Sequence, residues 1–413
     1  MLKVIGNSWA LLLGVMLLMV GNGVQGSLLG IRGAIEGFST FQLSLVSSAY
    51  FIGFLGGSQL APEMIRRVGH VRVFAALGSL ISAVLVLYPV IPQWQAWTVM
   101  RILIGFCFSG VYVTAESWLN NSATNETRGQ ALSAYMIVQM IGIIASQALL
   151  NAADPSGFTL FVIPSVLVSL AFMPILLSIA PAPVFASTKR MSFATLFQVS
   201  PLGCVGMFLM GGIFSAMFGM AAVWGTQAGL SVRNISIFIG VMYLGGLVLQ
   251  YPIGWASDRM DRRQLIFILA VIAGLVLSYA SVANPPFALL LGVALTIGGI
   301  ANPLYSLLIA HTNDYLGQDQ MAAASAGLLF INGLGAIGGP IMTGWLMTVL
   351  GPAGFFVFMA LLMALMSGYA AWRMTRRAAP SPADTGAYAN LSPTASVVAV
   401  EAVLDRSDDA KAA

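Results

Sequence analysis

Apolar residues run through this chain in long stretches, from Trp9 to Trp372, separated by short breaks of charged residues, Pro, Asn and Asp. Each stretch is about 20 residues long, the length a helix needs to cross a hydrocarbon core. The breaks predict helices near 6–28, 40–61, 72–92, 95–119, 128–150, 157–180, 201–225, 233–256, 264–283, 285–309, 322–347 and 353–373. A lipid-facing barrel would instead show short segments of alternating polarity. The pattern therefore reads as an all-α integral membrane protein with twelve transmembrane helices.

Composition agrees. Of 413 residues, 58% are hydrophobic and only 8% charged, and the mean hydropathy is +0.89, whereas soluble domains carry about 25% charge. Lys3 precedes a long apolar run with no small-residue cleavage signature after it, so the first helix is expected to be retained. Cys107 and Cys204 fall inside apolar helices without a metal-ligand neighbour and are expected to be packing residues.

Basic residues are distributed unequally across the expected membrane. With the amino terminus inside, Lys3, Arg66, Arg67, Arg72, Arg128, Lys189, Arg190, Arg259, Arg262, Arg263, Arg373, Arg376 and Arg377 all fall inside, and only Arg32 and Arg233 fall outside. This asymmetry follows the positive-inside rule and places both termini in the cytoplasm. It also assigns the basic pI to membrane topology, so no nucleic-acid partner is expected.

Composition shifts mark the organisation. Residues 1–180 form a first six-helix bundle, 181–200 a linker rich in Pro and hydroxyls, 201–375 a second bundle, and 376–413, rich in Ala, Ser, Pro and Asp, a disordered cytoplasmic tail. A basic loop follows the second helix of each bundle, which suggests a duplicated unit. In the second bundle this loop carries Gly254, Asp258, Arg259, Arg262 and Arg263. Their spacing resembles the signature loop of the major facilitator superfamily: Gly, three residues, Asp, Arg, two residues, Arg, Arg. The first-half loop resembles only the basic portion of that signature, through Arg67, Gly69, His70 and Arg72; Arg66 stands at the aspartate position, and the nearest acid is Glu63. Arg101 with Gly105, Arg128 with Gly129, and Gly335, Gly339, Pro340 and Gly344 extend the resemblance over residues 5–375.

The resemblance implies a transporter fold whose first, fourth, seventh and tenth helices line a central cavity. It thereby picks out Asn22, Gln25, Arg101, Tyr112, Trp224, Asn302 and Tyr305 as substrate-cavity residues. Helical spacing independently puts Asn22 with Gln25, and Asn302 with Tyr305, on shared faces. The same resemblance implies a conformational gate at Gly254, Asp258, Arg259, Arg262 and Arg263. Glu116 lies fifteen residues, or about 22 Å, from Arg101 along one helix, so the two cannot pair. Its depth matches that of Arg66, Arg67, Arg72 and Arg128, and a charge latch among these groups and Glu63 is expected. Tyr135, Gln139, Gly142 and Ser146 form a stripe read as helix packing, and Phe214 and Phe218 are read as ordinary packing.

No carboxylate falls near the middle of an expected helix, which disfavours cationic solutes. The expected function is secondary transport of a small anionic or neutral organic solute by alternating access. Proton-coupled polyspecific efflux and a solute-sensing receptor are the alternatives. The sequence shows no Gly-x-Ser-x-Gly, His-Glu-x-x-His or Gly-x-x-x-x-Gly-Lys pattern, so no enzyme, metal or cofactor is expected. The expected partners are a small solute, the lipid bilayer and protons as a coupling ion, with the chain a monomer in a bacterial inner membrane.

Overall fold

The computed structural model describes residues 2–122, 128–176 and 191–376, together with positions 386, 388, 391, 395, 396, 399 and 400; side chains are described from Ser8 onward, except within 121–129, 175–190 and 318–319. Regular structure among these residues is entirely helical. The helices are α1 (Leu2–Ile35), α2 (Thr40–Val68), α3 (His70–Leu87), α4 (Trp94–Ser122), α5 (Arg128–Leu149), α6 (Thr159–Leu176), α7 (Phe193–Val199), α8 (Pro201–Gln227), α9 (Val232–Ser257), α10 (Arg262–Ala283), α11 (Phe287–Asn313), α12 (Gln318–Leu350) and α13 (Ala353–Met374). Each expected apolar segment falls on one of them. Eleven are long and apolar enough to cross a membrane, while the apolar part of α6, Thr159–Pro174, is shorter. The additional helix, α7, lies in the region read as the linker.

Local sequence sets the helix ends. Ser39 and Gln42 form a capping box at the start of α2, with each side chain bonding the other's backbone N–H. Ser231 accepts from the Asn234 N–H to start α9, and Asp261 accepts from the Arg263 N–H to start α10. Gly69, at φ 85°, is the single residue between α2 and α3, a turn that a side chain would strain.

Helices α1 to α6 pack mainly on one another, as do α8 to α13. In the first set α2 lies against α4; in the second, α9 lies against α11. Both pairs approach backbone to backbone. A Cβ added to Gly53 would collide with the Ile102 carbonyl, and one added to Gly298 would collide with the Met242 carbonyl. The same close crossing thus occurs between the second and fourth long helices of each set. Small residues are what permit such contact between helices in lipid.

The sets also meet each other. Toward the Arg32 end, the Ser47 hydroxyl donates to the Gly219 carbonyl at 2.9 Å and the Ser48 hydroxyl to the Ile337 carbonyl at 2.6 Å. Gly30 faces Ala222 and Val223 with no room to spare. The interface is closed at this end and parts toward the other, where the basic loops lie.

Candidate functional site

A cavity of about 730 Å³ lies between the two sets, bounded by α1, α2, α4 and α5 on one side and α8, α9, α11 and α12 on the other. It reaches from Arg101 and Asn22 to Met191 and Phe193 at the start of α7. Arg101 is the only Asp, Glu, Lys or Arg among the described residues lining it.

Arg101 is held from two sides. Its Nη1 donates to the Gln25 side-chain oxygen at 2.9 Å, and the guanidinium carbon stands 4.7 Å from the centre of the Tyr50 ring, within reach of a cation–π attraction. Gln25 in turn donates to the Tyr88 hydroxyl at 3.3 Å. No carboxylate among the described residues pairs with Arg101, and its Nε has no partner. Asn22 donates to the Tyr112 hydroxyl at 3.1 Å, and that hydroxyl faces the Met19 sulfur at 3.4 Å.

Asn302 and Tyr305, on one face of α11, line the opposite wall. Asn302 donates to the Gly298 carbonyl at 3.2 Å, while the Tyr305 hydroxyl is unpartnered. Phe214, Phe218 and Tyr243 form a stacked aromatic strip beside them, with successive ring centres 5.7 and 4.9 Å apart. Gln139 of α5 also lines the cavity, with its Nε2 unpartnered. Arg101, Gln139 and Tyr305 thus give the cavity wall its polar character, while Arg101 Nε, Gln139 Nε2 and the Tyr305 hydroxyl are themselves covered by protein.

Two of the expected cavity residues stand elsewhere. Gln25 is buried behind the wall and positions Arg101. Trp224 is enclosed by Phe238, Phe355 and Phe356, with ring centres 4.7 to 5.3 Å away, and takes no part in the lining. The residues missing from the sequence-based set are Tyr50, Gln139, Phe214, Phe218 and Tyr243.

At the open end, Glu63 is claimed by its own helix. Arg66 and Arg67 both bond it, at 2.8 and 2.6 Å, in exposed positions. Arg72 is exposed, and the Arg128 side chain lies outside the described residues. Glu116 is fully buried and is bonded by neither Arg66 nor Arg67; its Oε2 accepts from the Ser396 backbone N–H at 2.7 Å, and its Oε1 is unpartnered. Ser396 belongs to the segment read as a disordered tail. The described positions of that segment lie against the helices, with Leu391, Ala395, Ala399 and Val400 buried.

The loop between α9 and α10 is built around Arg262. This buried guanidinium donates to Asp314 at 2.5 Å and to the Ala310 carbonyl at 3.3 Å, both at the end of α11. It also donates to the Ser257 hydroxyl at 3.2 Å and to the Gly386 carbonyl. Asp258 stands 3.9 Å from Arg262, and Arg263 pairs with Asp261 at 2.8 Å. Arg259 lies over the Trp255 ring at 4.2 Å. Burial alone would raise the Asp261 carboxyl, but the Arg263 side chain and backbone N–H bonded to it hold it below the usual range.

The sequence profile of the Major Facilitator Superfamily matches residues 11–242 and 202–406. The chain belongs to that superfamily. It is accordingly a multi-pass membrane protein of a transporter family. A curated relative, the uncharacterized MFS-type transporter YcaD of Escherichia fergusonii, is 28% identical over 345 residues, spanning 82% of this chain and 88% of the relative. Among solved structures, a mutant of the nucleoside transporter NupG superposes with a TM-score of 0.77 at 14% identity, covering 88% of this chain and 99% of the other. A D-xylose–proton symporter superposes at 0.68 with 15% identity, covering 91% and 98%. At these identities the two structures establish the fold shared across the superfamily. Asp258 and Gly254, in the loop centred on Arg262, both face Tyr388.

Proposed function

We propose that the chain is a secondary transporter that moves a small, oxygen-rich organic solute, anionic or neutral, by alternating access at the cavity around Arg101. The observation that carries this reading is a single cation, Arg101, in a cavity otherwise lined by neutral polar and aromatic residues. Arg101, held by the neutral Gln25 and the Tyr50 ring, keeps its charge available to a ligand. Gln139 and Tyr305 add neutral polar residues to the lining. The aromatic strip from Phe214 to Tyr243 suits a planar or amphipathic body attached to such a head group. NupG, by its name, handles nucleosides, and the symporter handles D-xylose; both kinds of solute are polar and rich in hydroxyls, which supports the neutral branch.

In this reading the ion pairs around Arg262 brace the loop after α9 against the end of α11 within the second half, so that charge biases a conformational equilibrium without touching the solute. The basic end faces the cytoplasm, both termini lie there, and the membrane is a bacterial inner membrane. A solute or ion gradient drives the cycle.

A thermal-shift screen of the purified protein against organic anions, neutral sugars and nucleosides, and lipophilic cations tests this, because a ligand of the folded state raises the midpoint by mass action. Anions or hydroxylated neutrals are expected to stabilise the parent protein and to lose that effect in Arg101→Ala. Stabilisation by lipophilic cations alone, unchanged in the variant, would replace this reading with polyspecific export.

A further inference from the structure

Several backbone amides from beyond α13 are used at the open mouth of the cavity. The Gly386 N–H donates to Asp314 at 3.2 Å, the Tyr388 N–H to Asp258 at 2.8 Å, the Leu391 N–H to the Ser306 hydroxyl at 3.0 Å and the Ser396 N–H to Glu116 at 2.7 Å. Ser306 returns a bond to the Leu391 carbonyl at 3.2 Å. Ala395 and Ser396 themselves line the cavity. We propose that this mouth is a binding site for peptide backbone, occupied by the chain's own Gly386, Tyr388, Leu391 and Ser396, which thereby bar the cavity from the basic end.

The acceptors on the mouth explain why a peptide fits. Asp258 and Glu116 accept from backbone N–H groups, and such charge-assisted bonds are roughly twice as strong as neutral ones. Glu116 is the more demanding of the two. It is a fully buried carboxyl group, and its Oε2 accepts the Ser396 amide at 2.7 Å. Leaving it without that donor would be costly, because a buried polar group needs a partner. The spacing also matters. Glu116 lies on α4, whereas Ser306 and Asp314 belong to α11 and its end and Asp258 follows α9, so the bound segment spans both halves. Closing the basic end would bring those walls together and require the segment to leave. Docking therefore favours the arrangement closed at the Ser47 and Ser48 end.

Two apolar details give the site its shape. Leu391 is only 2% exposed, seated beside Ser306. The Tyr388 ring lies where Gly254 has no side chain, and a Cβ there would come within 2.7 Å of the ring's Cδ1. The small residue of the signature loop is thus the floor of a seat for an aromatic ring. Burial in that seat pushes the Tyr388 phenol up to about 12.

Docking stands apart from the identity of any solute, and its test needs none. Hydrogen exchange on the intact chain in nanodiscs should show the peptides covering Tyr388 to Ser396 exchanging at least tenfold slower than a free chain. Ser306→Ala should restore rapid exchange around Leu391. Exchange at the free-chain rate in the unaltered protein would overturn the proposal. For the barrier itself, Gly254→Cys and Tyr388→Cys are joined as a disulfide in a chain carrying Cys107→Ala and Cys204→Ala, with Ser231→Cys and Tyr388→Cys as the mismatched pair. The first pair should cross-link and the second should not; equal yields would count against docking. With Gln139→Cys added, maleimide labelling of that residue should be at least tenfold slower with the disulfide formed than after reduction and displacement of the segment by Ser306→Ala. Equal labelling rates would remove the barring role even where the segment is bound. If the cysteine variants do not fold, the exchange experiment on the unaltered chain decides the proposal by itself.

Discussion

Arg101 and Gln25 are joined by a 2.9 Å hydrogen bond from the guanidinium to the amide oxygen, three residues along α1 from Asn22. A neutral acceptor fixes the direction of the cation without cancelling its charge. Had a carboxylate stood there, the pair would be internally compensated and would offer little to an anion.

Arg101→Ala should therefore abolish anion-induced stabilisation, while Arg101→Lys keeps the charge but loses the planar contacts to Gln25 and Tyr50. Binding measured by titration calorimetry is expected to fall at least 100-fold for the alanine and about tenfold for the lysine, a difference of about 1.4 kcal/mol per decade. Gln25→Ala should weaken binding less than Arg101→Ala, since it removes only the positioning bond.

The α2 and α4 backbones touch at Gly53, so Gly53→Ala forces a methyl group against the Ile102 carbonyl. Overpacking of this kind costs about 1–3 kcal/mol. The thermal midpoint should drop by several degrees, whereas Gly292→Ala, with nothing near its missing Cβ, should leave it unchanged or slightly raised. A matching loss for Gly298→Ala would show that the repeated crossing between α9 and α11 obeys the same rule.

Ser47 and Ser48 tie the closed end of the interface by donating to carbonyls of α8 and α12. Removing both hydroxyls forfeits about 1 kcal/mol per bond. Distance distributions between spin labels at Ile35 and Val349, two exposed apolar positions, should gain a longer component in Ser47→Ala with Ser48→Ala. An unaltered distribution would mean that these bonds do not bias the equilibrium.

Asp261 supplies a pH prediction. Its carboxyl is held low mainly because Arg263 bonds outweigh the effect of burial, with His311 adding a further attraction. A depressed folded-state pKa contributes stability that is present above the unfolded carboxylate range and is lost as pH falls through the folded value. Between pH 5 and pH 2.5 the thermal midpoint of the parent should therefore fall more steeply than that of Asp261→Asn. Parallel curves would assign the acid sensitivity to other carboxylates.

Most helices could be placed from sequence because a segment in lipid must be apolar along its length, and charge can enter only at its ends. Rotation about the helix axis is another matter. Helix α8 is buried on nearly every side, so hydropathy cannot say which face meets the cavity, and Trp224 was selected while Phe214 and Phe218 were passed over. Asn302 and Tyr305 were easier, since a polar pair three residues apart marks one face. The Glu116 partner was illegible for a different reason. It is a backbone amide, which every residue but proline carries, and it comes from a segment whose Ala, Ser and Pro content carries no periodicity.

The lone charge of the cavity also decides where voltage acts. In the proposed cycle an anion seated on Arg101 would make a neutral pair, so the loaded carrier would turn over without moving net charge through the field. The empty carrier of that cycle would turn over with one positive charge exposed on alternate sides, and about 2.3 kcal/mol per elementary charge per 100 mV would then bear on that step, scaled by the fraction of the field Arg101 traverses. Membrane potential would set the pace of the return stroke, and a neutral solute would feel it on both strokes.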